Sequence, residues 1–475
     1  MMLKILISAL AVVLLATTAQ AAERPNIVLV MADDQGWGDM AYNGHPVLQT
    51  PNFDEAAAAG LRFDRFYAAA PVCSPTRASV LTGRHPNRMG VFQWGYPMRP
   101  QEVTLAEALK TVGYTTGHFG KWHLGSVRTD SLANPGRNGF DEWLSAPNFF
   151  DNDAVLSHRG RAVQTKGESS LATVDAAIDW IASQAETKQP FLAVVWFGSP
   201  HRPHRATDEL RALYKDQPKD VQHFYGEVTG TDRAFGKLRD KLERLGVREN
   251  TILWYCSDNG ALSPEGSAGE HRGHKGQVYD GGLLVPAFLE WPAKITQPRS
   301  TPMRCNTTDI YPTLLEITGA SIDNQPTLDG VSLVPLINNR PQVRERPMGF
   351  WHYPIAGIIT PSEKLMAALL AAQQEGGDLP PNEVSQHAAE LPDPPFSDSE
   401  FSGHSAWIDG DWKLHHIEHK RGDFSWELYN LAADPAEKND LIDIEQQRFE
   451  EMRADFSSWL KSVVGSLNGN DYASE

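Results

Sequence analysis

The sequence predicts an α/β fold: a large domain with a mainly parallel central sheet flanked by helices, then a small C-terminal α+β subdomain with an antiparallel sheet. Three observations predict it. Four short apolar runs, rich in β-branched and aromatic residues, are hydrophobic almost throughout, as strands buried on both faces are. Segments with apolar residues at helical spacing lie between them, and strand–helix alternation is the pattern of a parallel sheet. Near the C-terminus the pattern changes to short runs joined by turn residues. The 475 residues, 41% hydrophobic and 22% charged, suffice for one large domain and a smaller one.

Residues 1–21 read as a secretory signal peptide. Lys4 supplies the positive end, and Ile5 to Ala16 is apolar but shorter than the roughly 20 residues of a spanning helix. Ala19-Gln20-Ala21 is a small-x-small cleavage site. No cysteine follows it and no later run reaches membrane length, so export to a periplasm or beyond is expected, without a membrane anchor.

The first strand, Asn26 to Ala32, leads into Asp33-Asp34. A helix is expected from Asn52 to Gly60. Cys73 then precedes a second helix start, where Pro75 suits the first turn and Ser74 is placed to cap it. A helix N-terminus and Arg77 both favour negative charge at Cys73, which makes it a candidate nucleophile or anion handler; a small buried cysteine in a turn is the alternative. A helix from Leu105 to Val112 precedes the strand Tyr114 to Gly120, which leads into Lys121-Trp122-His123. A helix from Leu171 to Glu186 precedes the strand Phe191 to Phe197, which leads into Ser199-Pro200-His201. A helix from Gly226 to Leu245 precedes the strand Thr251 to Cys256, which leads into Ser257-Asp258-Asn259. Ligands of open α/β sheets bind beyond the carboxyl ends of the strands. The four polar clusters are therefore expected to form one site.

The catalytic domain is assigned to 22–345 and the C-terminal subdomain to 346–475. The stretch 361–400, rich in Pro, Glu, Ser and Ala, reads as an insertion with a helix from about Ser362 to Glu375. Two strands between Ser405 and Ile417 are expected to meet at an Asp409-Gly410 turn, with a third strand from Trp426 and a terminal helix from Glu445 to Val463.

Asp33, Asp34, Asp258 and Asn259 offer three carboxylates and an amide. Oxygen donors of this kind suit Ca²⁺ or Mg²⁺, although single Asp-Asp and Asp-Asn pairs are commonly caps or turns. Arg77, Lys121, His123, His201 and Lys275 are the cationic complement. The formal charge of −17 opposes nucleic acid and anionic membranes, but not a small anion met by local cations. Cys256 and Cys305 lie in or beside strand-like stretches; buried free thiols are the default, and a bridge between them is left open.

The run Cys73-x-Pro75-x-Arg77, followed by Leu81-Thr82-Gly83-Arg84, resembles the signature of the type I sulfatases. Thr104 to Lys110 with Gly120-Lys-Trp-His-Leu-Gly125, Pro200-His-Arg-Pro203, Ser257-Asp-Asn-Gly260, Arg272-Gly-His-Lys-Gly276, Thr308 to Glu316 and Glu427 to Glu437 are similar to further blocks, in the same order. The resemblance implies that Cys73 is oxidised to formylglycine by a maturation enzyme and that Ca²⁺ is bound by Asp33, Asp34, Asp258, Asn259 and the modified Cys73. It implies that Arg77 supports the hydrated aldehyde, that Lys121 and Lys275 hold sulfate oxygens, that His123 contacts the formylglycine hydroxyl, and that His201 protonates the leaving alcohol. The common Glu-Gly-Gly-x-Arg-Val-Pro reads here Asp280-Gly-Gly-Leu-Leu-Val-Pro, without the arginine at Leu284.

The activity so implied is hydrolysis of sulfate esters, with a sulfated carbohydrate as the expected substrate. Trp37, Trp94, Tyr96, Trp122 and Trp351 are candidate sugar platforms, with core packing the expected role of at least half of them, and Arg202, His204 and His352 are candidate readers of neighbouring substituents. The alternatives are a phosphomonoester or phosphonate ester hydrolase on the same scaffold, and a non-catalytic binding protein that keeps the pocket.

Overall fold

The computed structural model describes residues 24–340, 343–379, 389–399 and 401–472. The expected signal peptide and part of the insertion lie outside them.

The large sheet has 11 strands. They are β1 (Asn26–Ala32), β2 (Leu61–Tyr67), β3 (Thr115–Lys121), β4 (Glu142–Ala146), β5 (Val155–His158), β6 (Arg161–Gln164), β7 (Phe191–Trp196), β8 (Thr251–Ser257), β9 (Leu284–Glu290), β10 (Arg299–Thr301) and β11 (Cys305–Asn306). Their order is β10-β2-β9-β8-β1-β7-β3-β4-β5-β6, with β11 on β2. The centre, β8-β1-β7-β3-β4, is parallel throughout. The antiparallel pairs lie outside it, where β9 joins β8 to β2 and where β5 and β6 follow β4. The four apolar runs are thus β1, β3, β7 and β8, side by side and pointing one way. Their alternate residues enter two cores: Ile27, Leu29 and Met31 of β1 face one, Val28, Val30 and Ala32 the other. Burial on both faces is why these strands lack the alternation of a half-exposed strand.

The expected helices are present as Pro51–Ala59, Leu105–Lys110, Ser169–Thr187 and Lys219–Arg244. The last begins seven residues earlier than its periodicity suggested, because polar residues on its exposed face dilute the apolar signal. Leu105–Lys110 carries a full capping box between Thr104 and Glu107.

The second sheet is antiparallel, in the order β12 (Met348–His352), β13 (His404–Asp409), β14 (Trp412–Glu418) and β15 (Phe424–Asn430). Asp409 pairs with Trp412, so the hairpin turn is Gly410-Asp411, one residue later than expected. The helix Ser362–Gln374 matches the insertion reading, and Gln446–Leu467 is the terminal helix. Side chains alternate across this sheet. Trp351, Trp407, Leu414 and Leu428 pack with Phe456, Leu460 and Val463 of the terminal helix. Met348, Phe350, Ala406, Ile408 and Tyr429 pack with Tyr67, Val278, Leu283 and Leu284 of the large domain. Leu284, at the position lacking the common arginine, is thus part of an apolar seam between the two sheets.

Candidate functional site

The parallel centre of the sheet brings the four polar clusters to one edge. The strand ladder continues past the strand ends: Asp33 N–H donates to the Ser199 carbonyl at 3.0 Å and Asp258 N–H to the Ala32 carbonyl at 3.1 Å. Asp34 and His123 both adopt left-handed backbone, with φ of 69° and 54°. Such residues cost roughly 1–3 kcal/mol each and cluster at functional sites. Gly120 is needed for its lack of a side chain, since a Cβ there would lie 1.9 Å from the Trp196 carbonyl oxygen.

Cys73 is the first residue of the helix Cys73–Thr82, not the residue before it, and it is buried. Its Sγ lies 3.6 Å from Asp33 Oδ1, 3.9 Å from Asp34 Oδ1 and 3.5 Å from Lys275 Nζ. Ser74 does not cap this helix; its Oγ accepts from Gly95 N–H at 2.8 Å, a tertiary partner outcompeting the local one. The helix terminus was expected to favour thiolate. Burial wins instead and pushes the thiol up, against the pull of Lys121 and Lys275.

Each carboxylate meets a cation. Arg77 donates to Asp258 Oδ2 from two nitrogens, at 3.1 and 2.6 Å, and sits 5.2 Å from the centre of the Trp196 ring. Lys121 Nζ donates to Asp33 Oδ2 at 2.7 Å and Lys275 Nζ to Asp34 Oδ1 at 2.5 Å. Asn259 Nδ2 donates to the same Asp34 oxygen at 2.9 Å. His201 Nε2 lies 3.8 Å from Asp34 Oδ2, its Nδ1 meets the Arg202 carbonyl at 2.5 Å, and Phe149 stacks on its ring at 5.3 Å. The structure therefore gathers the predicted site residues from six separate stretches of chain.

Burial raises the Asp34 carboxyl, but Lys275 and His201 outweigh it and hold it well below the usual range. Burial and the Asp33 charge push Asp258 up to about 6, although Arg77 opposes them. Burial lowers His201 to about 3 and His123 well below its ordinary value; Lys275 and Lys121 add to the first, Lys121 and Arg77 to the second. Both imidazoles are neutral at pH 7.

The donor set fits a hard divalent cation. Ligand atoms of Asp33, Asp34, Cys73 and His201 all lie within 4.8 Å of one another. Among the described residues, Asp34 Oδ2 and Asn259 Oδ1 are buried acceptors without a protein donor. Buried polar atoms are seldom left so, and carboxylate and amide oxygens in this number suit Ca²⁺.

Two of the five candidate aromatics take the core role. Trp122 and Trp351 are core residues, whose indole N–H groups donate to the Ala133 and Ser402 carbonyls. Residue type alone does not reveal which face of an element is buried. Trp37, Trp94 and Tyr96 are half-buried. Arg202 pairs with Glu265, His204 Nδ1 lies 3.5 Å from Glu227, and His352 meets Gln93 at 3.1 Å. Cys256 and Cys305 are buried free thiols. Trp196 and Phe149 were missed, since both read as ordinary apolar residues of a strand end and a loop. Gln35 was missed too; it ties the Asp33-Asp34 loop to Ser257 through its backbone N–H and accepts from the Tyr255 hydroxyl.

Comparison with known proteins gives one consistent picture. The sulfatase family model matches residues 25–320. The chain is 32% identical over 376 residues to N-acetylgalactosamine-6-sulfatase of Mus musculus, covering 70% of each. It is 33% identical over 362 residues to arylsulfatase A of Homo sapiens, covering 68% of this chain and 69% of that one. The fold matches the crystal structure of Ps i-CgsB in complex with k-i-k-neocarrahexaose, with a TM-score of 0.76 and 24% identity over 92% of this chain and 93% of that one.

Proposed function

Because the chain belongs to the sulfatase family and is a sulfuric ester hydrolase, we propose that it is an exported enzyme for a sulfated carbohydrate. In this reading Cys73 is converted to formylglycine by a maturation enzyme. Asp33, Asp34, Asp258 and Asn259 hold Ca²⁺ beside it. One observation carries the reading: Asp33-Asp34 and Asp258-Asn259 come together beside Cys73, Asp34 bonding Asp258 across 224 residues, with cations opposite. The carbohydrate preference rests on the relatives' names, and export on residues 1–21. The chain divides into a catalytic domain over 22–345 and a subdomain over 346–475.

Bound Ca²⁺ and the aldehyde hydrate would supply charge neutralisation and an oxygen nucleophile. The protein's own groups do the rest. A buried, protonated thiol is a poor nucleophile, which accords with conversion of Cys73 rather than direct use of it. Lys121, buried, and Lys275, part-exposed, offer donors to sulfate oxygens. Arg77 fixes the Asp258 carboxylate and leaves its other face toward Trp196. His123, with both ring nitrogens unpartnered, is free to bond the nucleophile. The Arg202 carbonyl sets the His201 tautomer, with the proton on Nδ1 and Nε2 turned to the site. An anionic ester beside His201 raises its proton affinity, so that the part-exposed ring takes up a proton from solvent on Nε2 and passes it to the departing alkoxide, returning to the neutral state.

The test is a paired assay with the sulfate and phosphate monoesters of one aryl alcohol. Sulfate is expected to give the higher kcat/KM by about tenfold or more. A preference for phosphate would reverse the reading to a phosphoester hydrolase, and no turnover of either would favour a binding protein.

A further inference from the structure

The block Asp434-Pro-Ala-Glu437 lies far from the reacting groups, yet the structure gives Glu437 an unusual setting. Its side chain is fully buried and its backbone is left-handed, with φ of 49°. One oxygen of its carboxylate accepts from Asp280 N–H at 2.7 Å. The other meets Lys413 Nζ at 3.0 Å and His415 Nε2 at 2.7 Å. Its backbone carbonyl accepts from Arg272 at 3.0 Å. Lys413 Nζ also donates to Asp280 Oδ1 at 2.7 Å, and Tyr67 donates to Asp280 Oδ2 at 3.0 Å. Glu437 thus grips both ends of the segment 272–280, at Arg272 and at Asp280.

Lys275 sits in the middle of that segment. Its N–H donates to the Ala261 carbonyl and the next N–H, of Gly276, to the Pro71 carbonyl, both at 2.9 Å. From there its ammonium reaches Asp34 and Cys73. Gly281 N–H closes the segment on the Arg272 carbonyl at 2.7 Å. Arg272 lies flat on the Tyr279 ring at 3.8 Å, and the Tyr279 hydroxyl donates to Glu427 at 2.9 Å. Held at both ends by one residue, the segment has little freedom to rotate Lys275 away.

We propose that Glu437, seconded by Lys413, is a positioning residue for catalysis: it sets the pitch of segment 272–280 so that the Lys275 ammonium is aimed at the reacting centre. This rests on the role given to Lys275 above. The C-terminal sheet is then a working part of the active site although it contributes no group to the reaction. It also supplies, through Lys413, the cation beside Asp280 in a chain whose nearby position 284 is leucine.

A double-mutant cycle tests this. Turnover of an aryl sulfate is measured for the wild type, Glu437→Ala, Lys275→Ala and the double variant. Glu437→Ala is expected to lower kcat/KM about tenfold alone and less than about twofold when Lys275 is already alanine, because a group that acts through Lys275 has nothing left to position. Equal losses on both backgrounds would overturn the proposal and leave Glu437 a purely structural residue. Should Lys275→Ala itself keep wild-type turnover, the role of Lys275 is what fails. Glu437→Gln, which keeps the shape and an acceptor for Asp280 N–H, serves in the same cycle if the alanine variant does not fold. Affinity for inorganic sulfate, measured by calorimetry on the same four proteins, follows the same pattern without needing turnover; sulfate binding weakened equally on both backgrounds would count against positioning.

Discussion

Two buried charge clusters stand on either side of segment 272–280, and they are built oppositely. In the C-terminal cluster, Lys413, His415, Glu437, Asp280 and Tyr67 bond one another, and the second ring nitrogen of His415 meets His404. The carboxyl edge of the large sheet stays open: Asp34 Oδ2, Asn259 Oδ1 and both nitrogens of His123 have no partner among the described residues. Burial is equal, so the difference lies in satisfaction. A closed network fixes geometry, whereas buried atoms left without partners are held for something that arrives later.

Substitutions sharpen this contrast. Cys73→Ala in the open cluster should lower turnover by at least about 10⁴-fold while leaving the thermal midpoint nearly unchanged, since it removes a reacting group and no structural contact of consequence. Retained activity would remove Cys73 from the chemistry. Lys413→Met in the closed cluster should weigh the other way, lowering turnover only about tenfold, as Glu437→Ala does, while unsettling the fold. It strands two buried carboxylates and is expected to cost roughly 3–5 kcal/mol of stability, read as a lowered midpoint in urea. A change below about 1 kcal/mol would show that the cluster tolerates an unpaired charge.

Reading the chain in order made the open cluster legible and the closed one invisible. Acidic pairs after apolar strands, and a Lys-x-His after another, point to one sheet edge because parallel strands deliver their loops there. Glu437, in the loop after the last strand of the C-terminal sheet, meets Asp280 across 157 residues, a contact made only on folding. Nothing local encodes that. Ser74 teaches the same lesson in miniature: its type and position say helix cap, and Gly95 claims it. The expected low proton affinity of Cys73 failed likewise, because helix polarity is written locally and depth of burial is not.

Ca²⁺ offers an intermediate effect. Addition to chelator-treated enzyme should restore activity and raise stability by about 2.7 kcal/mol at a hundredfold excess over Kd, and that gain should vanish in Asp34→Asn but persist in Lys413→Met. The smallest effect expected is one of pH. Burial holds His415 well below its ordinary 6.5. Below that pH the unfolded chain takes up a proton that the folded chain refuses, so stability falls as pH falls. His415→Gln should remove up to about 1.4 kcal/mol per pH unit of that slope between pH 6.5 and 5. An unchanged slope would mean that His415 is protonated in the fold.

The proposed chemistry depends most on what atom stands at position 73 in working enzyme. Mass spectrometry of the peptide spanning Cys73, from active protein made in its native host, should find an aldehyde where the gene encodes a thiol. Fully active enzyme carrying an intact thiol there would contradict the mechanism at its centre.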